Sequence, residues 1–166
     1  MIIGMIRRMF SGTVYIQLRE DRIRICHIEN KSIYDQRPYI AIDSSNRKKK
    51  IIHAIGNEAY NLRANANFDV SNPFSHPRML VSNFLKAESV LTHGIREVHQ
   101  SKFIAPSPVV IMHPMEKLEG GITDIEGRVY RELAIAAGAR DVRIHVGNTL
   151  SISLFNMDQV CEPESV

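Results

Sequence analysis

Apolar and polar residues alternate along two stretches near the start of the chain, and this spacing predicts β-strands. Thr13–Leu18 is rich in β-branched and aromatic residues, and isoleucines alternate with arginines in Arg22–Ile28. The three charged residues between them suit a turn, so the two stretches read as a hairpin. Shorter apolar runs predict a third strand at Tyr39–Ile42 and a fourth at Ile51–Ile55.

Apolar residues recur every three or four positions later in the chain, which predicts amphipathic helices. The longest such pattern covers Arg78–Gln100, despite Gly94. A second begins at Thr123, where Thr-Asp-Ile-Glu has the capping-box pattern, and runs to Ala137 before Gly138 ends it.

The segments between these elements complete the expected order. A short helix is predicted from Asn57 to about Ala64, and the Asn- and Pro-rich residues 65–77 suit a surface connection. The uninterrupted apolar run Val109–Met112 is typical of a strand buried on both faces, and Val142–Val146 is a further strand. Strands followed by alternating helices and strands indicate a mixed α/β domain.

The first ten residues form an amphipathic pattern of their own. At 100° per residue one arc holds only apolar side chains, while Gly4, Arg7 and Arg8 share the remainder. We expect a helix lying in a membrane interface with both arginines at the headgroups; packing on the protein's own core or on a partner is the alternative. The expected membrane-contact residues are Ile2, Ile3, Met5, Ile6, Arg7, Arg8, Met9 and Phe10.

Composition describes one ordinary globular domain. The chain has 166 residues, 44% of them hydrophobic, and a net charge of +3, which exclude disordered and fibrous proteins. Cys26 and Cys161 form no C-x-x-C unit, and the seven histidines include no i, i+4 pair. We therefore expect the protein to function in a reducing cytosol and to contain no metal site.

A basic run, Arg47–Lys50, lies between the third and fourth predicted strands. Such a run can grip phosphates of nucleic acid or an anionic membrane. Because no aromatic stacking platform accompanies it, the solvated turn of a hairpin is the favoured interpretation.

Several segments together resemble the MreB family of bacterial actin homologues, the rod-shape-determining proteins. Ala54–Ala59 is similar to the family's A-x-G-x-x-A segment, and Val98–Val110 to its V-H and R-P-S-P-R-V-L stretch. The most specific match is Glu126–Val142, which resembles E-R-R-A-I-R-E followed by A-G-A-R-E-V. The segment 8–11 before the hairpin resembles the family's amino terminus, whose amphipathic helix binds the inner membrane.

The resemblance covers about residues 5–155 and only the first half of the family. It implies an α/β fold, the first lobe of an actin-like ATPase with its ribonuclease-H-like topology and a small inserted α/β subdomain at roughly residues 31–77. The second lobe, with its glycine-rich phosphate loop and adenosine pocket, is expected to be absent. The implied organisation is a membrane helix at 1–10, one lobe at 11–158 and a polar tail at 159–166.

The nucleotide-binding residues that the resemblance implies are altered. The family's first hairpin carries D-L-G-T, in which the Asp orders magnesium and its waters and the Gly and Thr admit the phosphates. Here the stretch is Gln17-Leu18-Arg19-Glu20, with a neutral amide and two long side chains. Asp21 is interpreted as a turn residue. We expect neither ATP nor magnesium as a cofactor.

Glu126 aligns with the family's water-positioning glutamate for ATP hydrolysis. As the third residue of a capping box it would also stabilise a helix start without any chemistry, and that is the role we expect. The family's E-E-P segment after the last strand reads Ile144-His145-Val146-Gly147 here. If the resemblance holds, Gln17 should end the first strand and face the same cleft as the start of the Thr123–Ala137 helix.

The predicted function is that of a non-catalytic, actin-like half-protein of the bacterial cell-shape cytoskeleton, cytoplasmic and peripheral on the inner membrane. Its expected partners are the membrane surface and full-length filament subunits or other cell-shape proteins. Three alternatives stay open: residual ATP binding at a site completed by a partner, nucleic-acid binding through the basic run, and a truncated relic with no selected role.

Overall fold

The computed structural model describes residues 12–45, 49–100 and 105–163. Within these ranges the strands and helices, in chain order, are β1 (Thr13–Leu18), β2 (Ile23–His27), β3 (Ile33–Gln36), β4 (Ile40–Asp43), β5 (Ile52–Ile55), α1 (Asn57–Asn61), β6 (Phe68–Ser71), α2 (Phe84–His99), β7 (Val109–Pro114), α3 (Asp124–Ala136) and β8 (Asp141–Ile144). Single 3₁₀ turns lie at Leu62–Ala64 and Met157–Gln159. The expected amino-terminal helix, residues 1–10, lies outside the described residues.

β1 is the central strand of the main sheet, whose order is β3-β2-β1-β7-β8. It pairs antiparallel with β2 and parallel with β7, so the predicted hairpin and the predicted buried strand are both confirmed. Val14, Ile16 and Leu18 are fully buried on one face, and Tyr15 is buried on the other. β3 was not predicted, because its four residues Ile-Tyr-Asp-Gln carry little apolar signal.

Helices α2 and α3 cover the face of the main sheet to which Ile16 points. Gly94 lets α2 approach β2 closely, since a Cβ at that position would lie only 2.4 Å from Cδ1 of Ile25. This close packing explains why a glycine is found inside a helix, where it normally costs about 1 kcal/mol relative to alanine.

α2 begins at Phe84, six residues later than its apolar spacing predicts. The side chain of Asn83 accepts a hydrogen bond from the Lys86 amide at 3.0 Å and so caps the helix. Just before it, the Ser82 amide donates to the Pro73 carbonyl at 2.8 Å. Residues 78–82 therefore belong to the connection and not to the helix.

A second sheet, with the order β5-β4-β6, lies between β3 and α2 in the sequence. The antiparallel pairing of β4 with β5 confirms the predicted hairpin around the basic run; residues 46–48 are not described, and Lys50 is exposed. The prediction of a surface connection over residues 65–77 is wrong in two places, because β6 pairs with β4 and Phe74 is fully buried.

The carboxyl-terminal segment covers the second face of the main sheet. Leu150, Ile152, Phe155 and Val160 pack against Tyr15 and its apolar neighbours. The Val146 amide donates to the Cys161 carbonyl at 2.9 Å, which holds the far end of the segment beside the sheet. The residues after β8, whose structure the pattern did not specify, thus form a mostly irregular cover.

Candidate functional site

A row of three polar side chains crosses the main sheet near the end of β1. Gln17 is paired in register with Arg24 of β2 on one side and with His113 of β7 on the other. Paired residues of adjacent strands project to the same face. Because Ile16 and Leu18 point toward the helices, this row lies on the face covered by the carboxyl-terminal segment.

Two residues of this row, Gln17 and Arg24, border a cavity of about 260 Å³. Its lining residues are Gln17, Arg19, Arg22, Arg24 and Thr149. The Gln17 amide nitrogen lies 3.5 Å from the Thr149 hydroxyl, so the carboxyl-terminal segment contributes one wall. The lining therefore combines three guanidinium groups with an amide and a hydroxyl.

The turn between β1 and β2 is fixed by contacts on its outer side. The Arg19 amide donates to the Arg22 carbonyl at 3.0 Å, and the Glu20 amide donates to the Glu116 carboxylate at 2.9 Å. Lys117 donates to the Glu20 carboxylate at 2.7 Å, and this hydrogen bond is the main reason that the pKa of Glu20 is lowered. Asp21 is exposed in the turn. The side chain of Glu20 is thus held away from the lining of the cavity.

Glu126 forms the capping box that the sequence predicts. Its carboxylate accepts hydrogen bonds from the Thr123 amide at 2.9 Å and from the Thr123 hydroxyl at 2.8 Å. In return, the Thr123 hydroxyl accepts from the Glu126 amide at 3.3 Å. Both carboxylate contacts are made to the start of its own helix.

Gln17 and the start of α3 do not share a cleft, which corrects that expectation. Gln17 does lie at the end of β1, but its side chain lines the arginine cavity on one face of the sheet. The start of α3 instead borders a separate cavity of about 240 Å³ that Thr123, Arg128 and Ile144 help to line. The difference follows from strand alternation, which turns Gln17 away from the helical face.

Two substitutions of Glu126 test whether its carboxylate stabilises the start of α3. Glu126→Ala should lower the free energy of unfolding by about 1 kcal/mol, because it removes the reciprocal half of the capping box. Glu126→Gln should leave stability within about 0.5 kcal/mol of the parent, because glutamine also accepts from the Thr123 amide. Urea unfolding followed by circular dichroism measures both; equal losses in the two variants would contradict the capping role.

A buried network of aromatic and imidazole groups lies beside the cavity. The Tyr15 hydroxyl accepts from the Leu150 amide at 3.2 Å and lies 2.6 Å from Nδ1 of His113, to which it donates. The rings of His113 and His145 meet edge to face, with centroids 4.5 Å apart. Nδ1 of His145 accepts from the Cys161 amide, so its Nε2 donates to the Asn148 carbonyl.

This network keeps His113 uncharged. Burial lowers the pKa of His113 to about 4, and the neighbouring His145 contributes in the same direction. Tyr15, His113 and Thr149 were not predicted as neighbours of Gln17. His113 directly follows a predicted buried strand, but only the parallel register of β1 and β7 places it beside Gln17.

Neither a metal cluster nor a membrane-crossing helix is found in the part of the chain that the structure describes. No group of three or more His, Cys, Asp or Glu residues there could hold a metal ion. None of the helices there is long and apolar enough to cross a membrane.

Most of the described chain matches the sequence model of a known protein family. The sequence model of the MreB/Mbl protein family matches residues 13–151. The chain belongs to the MreB/Mbl family. The cell shape-determining protein MreB of Escherichia coli is 30% identical over 141 residues, which cover 82% of this chain and 38% of that protein. The Haemophilus influenzae MreB is 28% identical over 144 residues.

Solved structures of related proteins confirm the fold. MreB5 of Spiroplasma citri bound to ADP superposes with a TM-score of 0.62 at 17% identity, over 82% of this chain and 38% of that chain. A non-polymerising MamK mutant bound to AMPPNP superposes with a TM-score of 0.60 at 8% identity. That alignment covers 81% of this chain and 40% of the MamK chain. The chain thus has the α/β fold of a single actin-like lobe, as expected, and spans roughly 40% of the length of these relatives.

Proposed function

We propose that this MreB/Mbl protein serves the bacterial cell-shape cytoskeleton without hydrolysing ATP, through contacts with the membrane surface and with filament subunits. The observation that carries the proposal is the lining of the cavity at the end of β1. Gln17 stands where the resemblance expects a carboxylate that orders magnesium, and three guanidinium groups surround it. Guanidinium groups repel a divalent cation, which prefers carboxylate and water oxygens.

Glu126 supports the same proposal from the opposite side of the sheet. The resemblance assigns this position to the positioning of a hydrolytic water, but one oxygen of the carboxylate, Oε2, accepts two hydrogen bonds from Thr123. It is also turned toward the start of its own helix. Together with the lining of the cavity at the end of β1, this arrangement does not fit a magnesium–nucleotide complex.

Thermal unfolding in the presence of Mg-ATP tests the non-catalytic part. A ligand at a hundredfold excess over its Kd raises the free energy of unfolding by about 2.7 kcal/mol. We expect millimolar Mg-ATP to leave the Tm unchanged, while full-length MreB, as the control, shows an increase. A saturable increase in the Tm of this chain would instead favour residual ATP binding.

Pelleting with vesicles that contain phosphatidylglycerol tests the membrane part. We expect the full chain to pellet. Arg7→Glu combined with Arg8→Glu should abolish pelleting, because it reverses the charge of the polar face of the helix that the sequence predicts. Lys48→Glu combined with Lys50→Glu is the matched control, because it changes the net charge equally within the basic run. If only the control variant failed to pellet, the basic run would be the membrane-binding segment. Equal pelleting of all three proteins would refute a charge-dependent membrane contact.

Cosedimentation tests the proposed contact with filament subunits. A lobe that presents part of a filament subunit's surface should pellet with polymers of full-length MreB and reduce their amount as its concentration rises. Absence from the pellet and an unchanged polymer yield would contradict the filament contact.

A further inference from the structure

Two arginine side chains pack on a single tyrosine ring beside the sheet β5-β4-β6. The guanidinium carbon of Arg37 lies 4.0 Å from the centroid of the Tyr60 ring, and that of Arg63 lies 3.2 Å from it. Tyr39 meets Tyr60 edge to face, with ring centroids 5.0 Å apart. Because an aromatic face attracts cations, the ring holds the two guanidinium groups close together in spite of their like charge. We call these four residues the arginine–tyrosine cluster.

Backbone contacts fix the positions from which the two arginines project. Arg37 lies between β3 and β4, and its amide donates to the side chain of Asn57 at 3.1 Å, at the start of α1. Arg63 lies in the 3₁₀ turn that follows α1, and its Nε donates to the Tyr60 carbonyl at 2.7 Å. Since both guanidinium groups are positioned before any partner binds, less side-chain entropy is lost on binding.

Neither arginine is neutralised by a carboxylate of the described residues. Their side-chain contacts there are with the two tyrosine rings and the Tyr60 carbonyl. The aspartates of the same sheet are engaged elsewhere: Asp43 accepts from the Ser45 amide at 2.8 Å, and Asp69 pairs with Lys86 of α2 at 3.1 Å. Both arginines are exposed, so their charge faces solvent.

The region around this cluster carries the net charge of the whole chain. Residues 37–71 contain six Lys and Arg residues and three Asp and Glu residues, which gives this stretch a net charge of +3. The remainder of the chain has as many acidic as basic residues. A surface with an excess of one sign of charge favours partners of the opposite sign and speeds their association. The complementary partner is therefore anionic.

We infer that the arginine–tyrosine cluster is a docking surface for an extended acidic segment of a partner polypeptide. A guanidinium group matches a carboxylate with two parallel hydrogen bonds. The two guanidinium carbons are at most about 7 Å apart, because both lie against one ring centroid. Residues i and i+2 of an extended segment project to the same side, about 7 Å apart. Acidic residues at alternate positions of such a segment therefore suit the two arginines.

A polypeptide fits this surface better than single-stranded nucleic acid does. Proteins that bind single strands stack the bases on free aromatic rings as well as contacting the phosphates. In the cluster, the ring of Tyr60 is already occupied by guanidinium groups.

The inference goes beyond the proposed function and fails independently of it. The proposed membrane contact is assigned to residues 1–10, and the cosedimentation test requires no acidic segment at this surface. Arg37→Gln combined with Arg63→Gln should therefore pellet with phosphatidylglycerol vesicles as the parent does. Loss of that pelleting would assign the surface to lipid headgroups and overturn the inference.

Fluorescence anisotropy of a labelled octaglutamate peptide titrated with the full chain is the test. At about 0.1 M salt, charges more than about 10 Å apart are largely screened, so local contacts determine the affinity. We expect saturable binding, which Arg37→Gln combined with Arg63→Gln should weaken roughly tenfold or more, because charged hydrogen bonds are lost. Lys48→Gln combined with Lys50→Gln is the matched control. It removes the same charge from the basic run and should change the affinity by less than about threefold.

A third variant separates the planar guanidinium groups from charge alone. Arg37→Lys combined with Arg63→Lys keeps both charges but cannot form the paired hydrogen bonds, so it should also weaken binding. Both arginines are exposed, so all of these variants should fold, which circular dichroism checks. An affinity equal to that of the parent in the folded lysine variant would overturn the guanidinium contacts.

Each outcome of the titration decides the question. Binding of octaglutamate that the cluster variants weaken and the control retains supports the surface. No saturable binding at millimolar peptide, or equal weakening in the control, would overturn it. An oligothymidylate with the same number of charges is a further arm: tighter binding of octaglutamate supports a polypeptide partner, and tighter binding of the oligonucleotide overturns that assignment.

Discussion

Phe74→Ala is expected to destabilise the protein by about 3–5 kcal/mol. The Phe74 ring is fully buried in the main hydrophobic core, although it lies in the connection between the small sheet and α2. Its amide donates to the Asn72 side chain at 2.9 Å, which fixes the backbone that inserts the ring. Truncation would leave a cavity that the fixed connection cannot collapse to fill.

Urea unfolding measures this loss against a matched aliphatic control. Leu85→Ala also truncates a large apolar side chain, but Leu85 is 74% exposed on α2, so a change within about 0.5 kcal/mol is expected. Since small domains have a total stability of about 5–15 kcal/mol, Phe74→Ala should also lower the Tm markedly. Similar losses in the two variants would contradict the burial of the Phe74 ring.

Acidification from pH 6.5 toward 4 is expected to remove roughly 3 kcal/mol of stability through His113 alone. The cause is burial beside His145, which lowers the pKa of His113 to about 4 in the folded protein. The unfolded chain takes up its proton near pH 6.5, so it binds more protons throughout this window. Stability is therefore complete above pH 6.5 and decreases as the pH falls.

Two other buried histidines act in the same direction. Burial lowers the pKa of His27, with a further contribution from His99, and burial also lowers the pKa of His99 itself. Urea unfolding at pH 7.5, 6 and 5 measures the combined slope. His113→Gln should reduce the slope, whereas Leu85→Ala should not, because it removes no titratable group and Leu85 is exposed. A free energy of unfolding that is constant between pH 7.5 and 5 would refute the prediction.

The strands and helices with strong local signals were predictable. Alternation along Thr13–Leu18 located the central strand, and the capping box at Thr123 located the start of α3 to the residue. These signals succeed because each depends on neighbours a few positions away, where the residue types alone determine the hydrogen bonds.

The missed elements depend on contacts that are distant in sequence. Phe68–Ser71 forms β6 because it pairs with β4, which supplies the backbone hydrogen bonds. The local sequence around it, rich in Asn and Pro, does not by itself predict a strand. Leu80 continues the apolar spacing of α2 along the sequence. It is fully buried, but it lies in a segment that is not helical. Apolar periodicity reports burial, and burial alone does not specify a helix.

The candidate site was predictable only in part. Gln17 and Arg19 stood out because the resemblance aligns them with nucleotide-binding residues. Arg24 was visible only as the polar partner in an alternating strand, and Thr149 lay in a segment of unassigned structure. Their convergence with Gln17 requires the register of β1 and β2 and the return of the chain across the sheet.

The strand order of the main sheet imposes a sequence of events during synthesis. The small sheet uses residues 40–71 only, so it has all its strands before α2 is made. β1, in contrast, receives its parallel partner late: Tyr15 and His113 are 98 residues apart. One edge of this central strand therefore stays unpaired until β7 leaves the ribosome, and an unpaired strand edge is a site at which chains can aggregate.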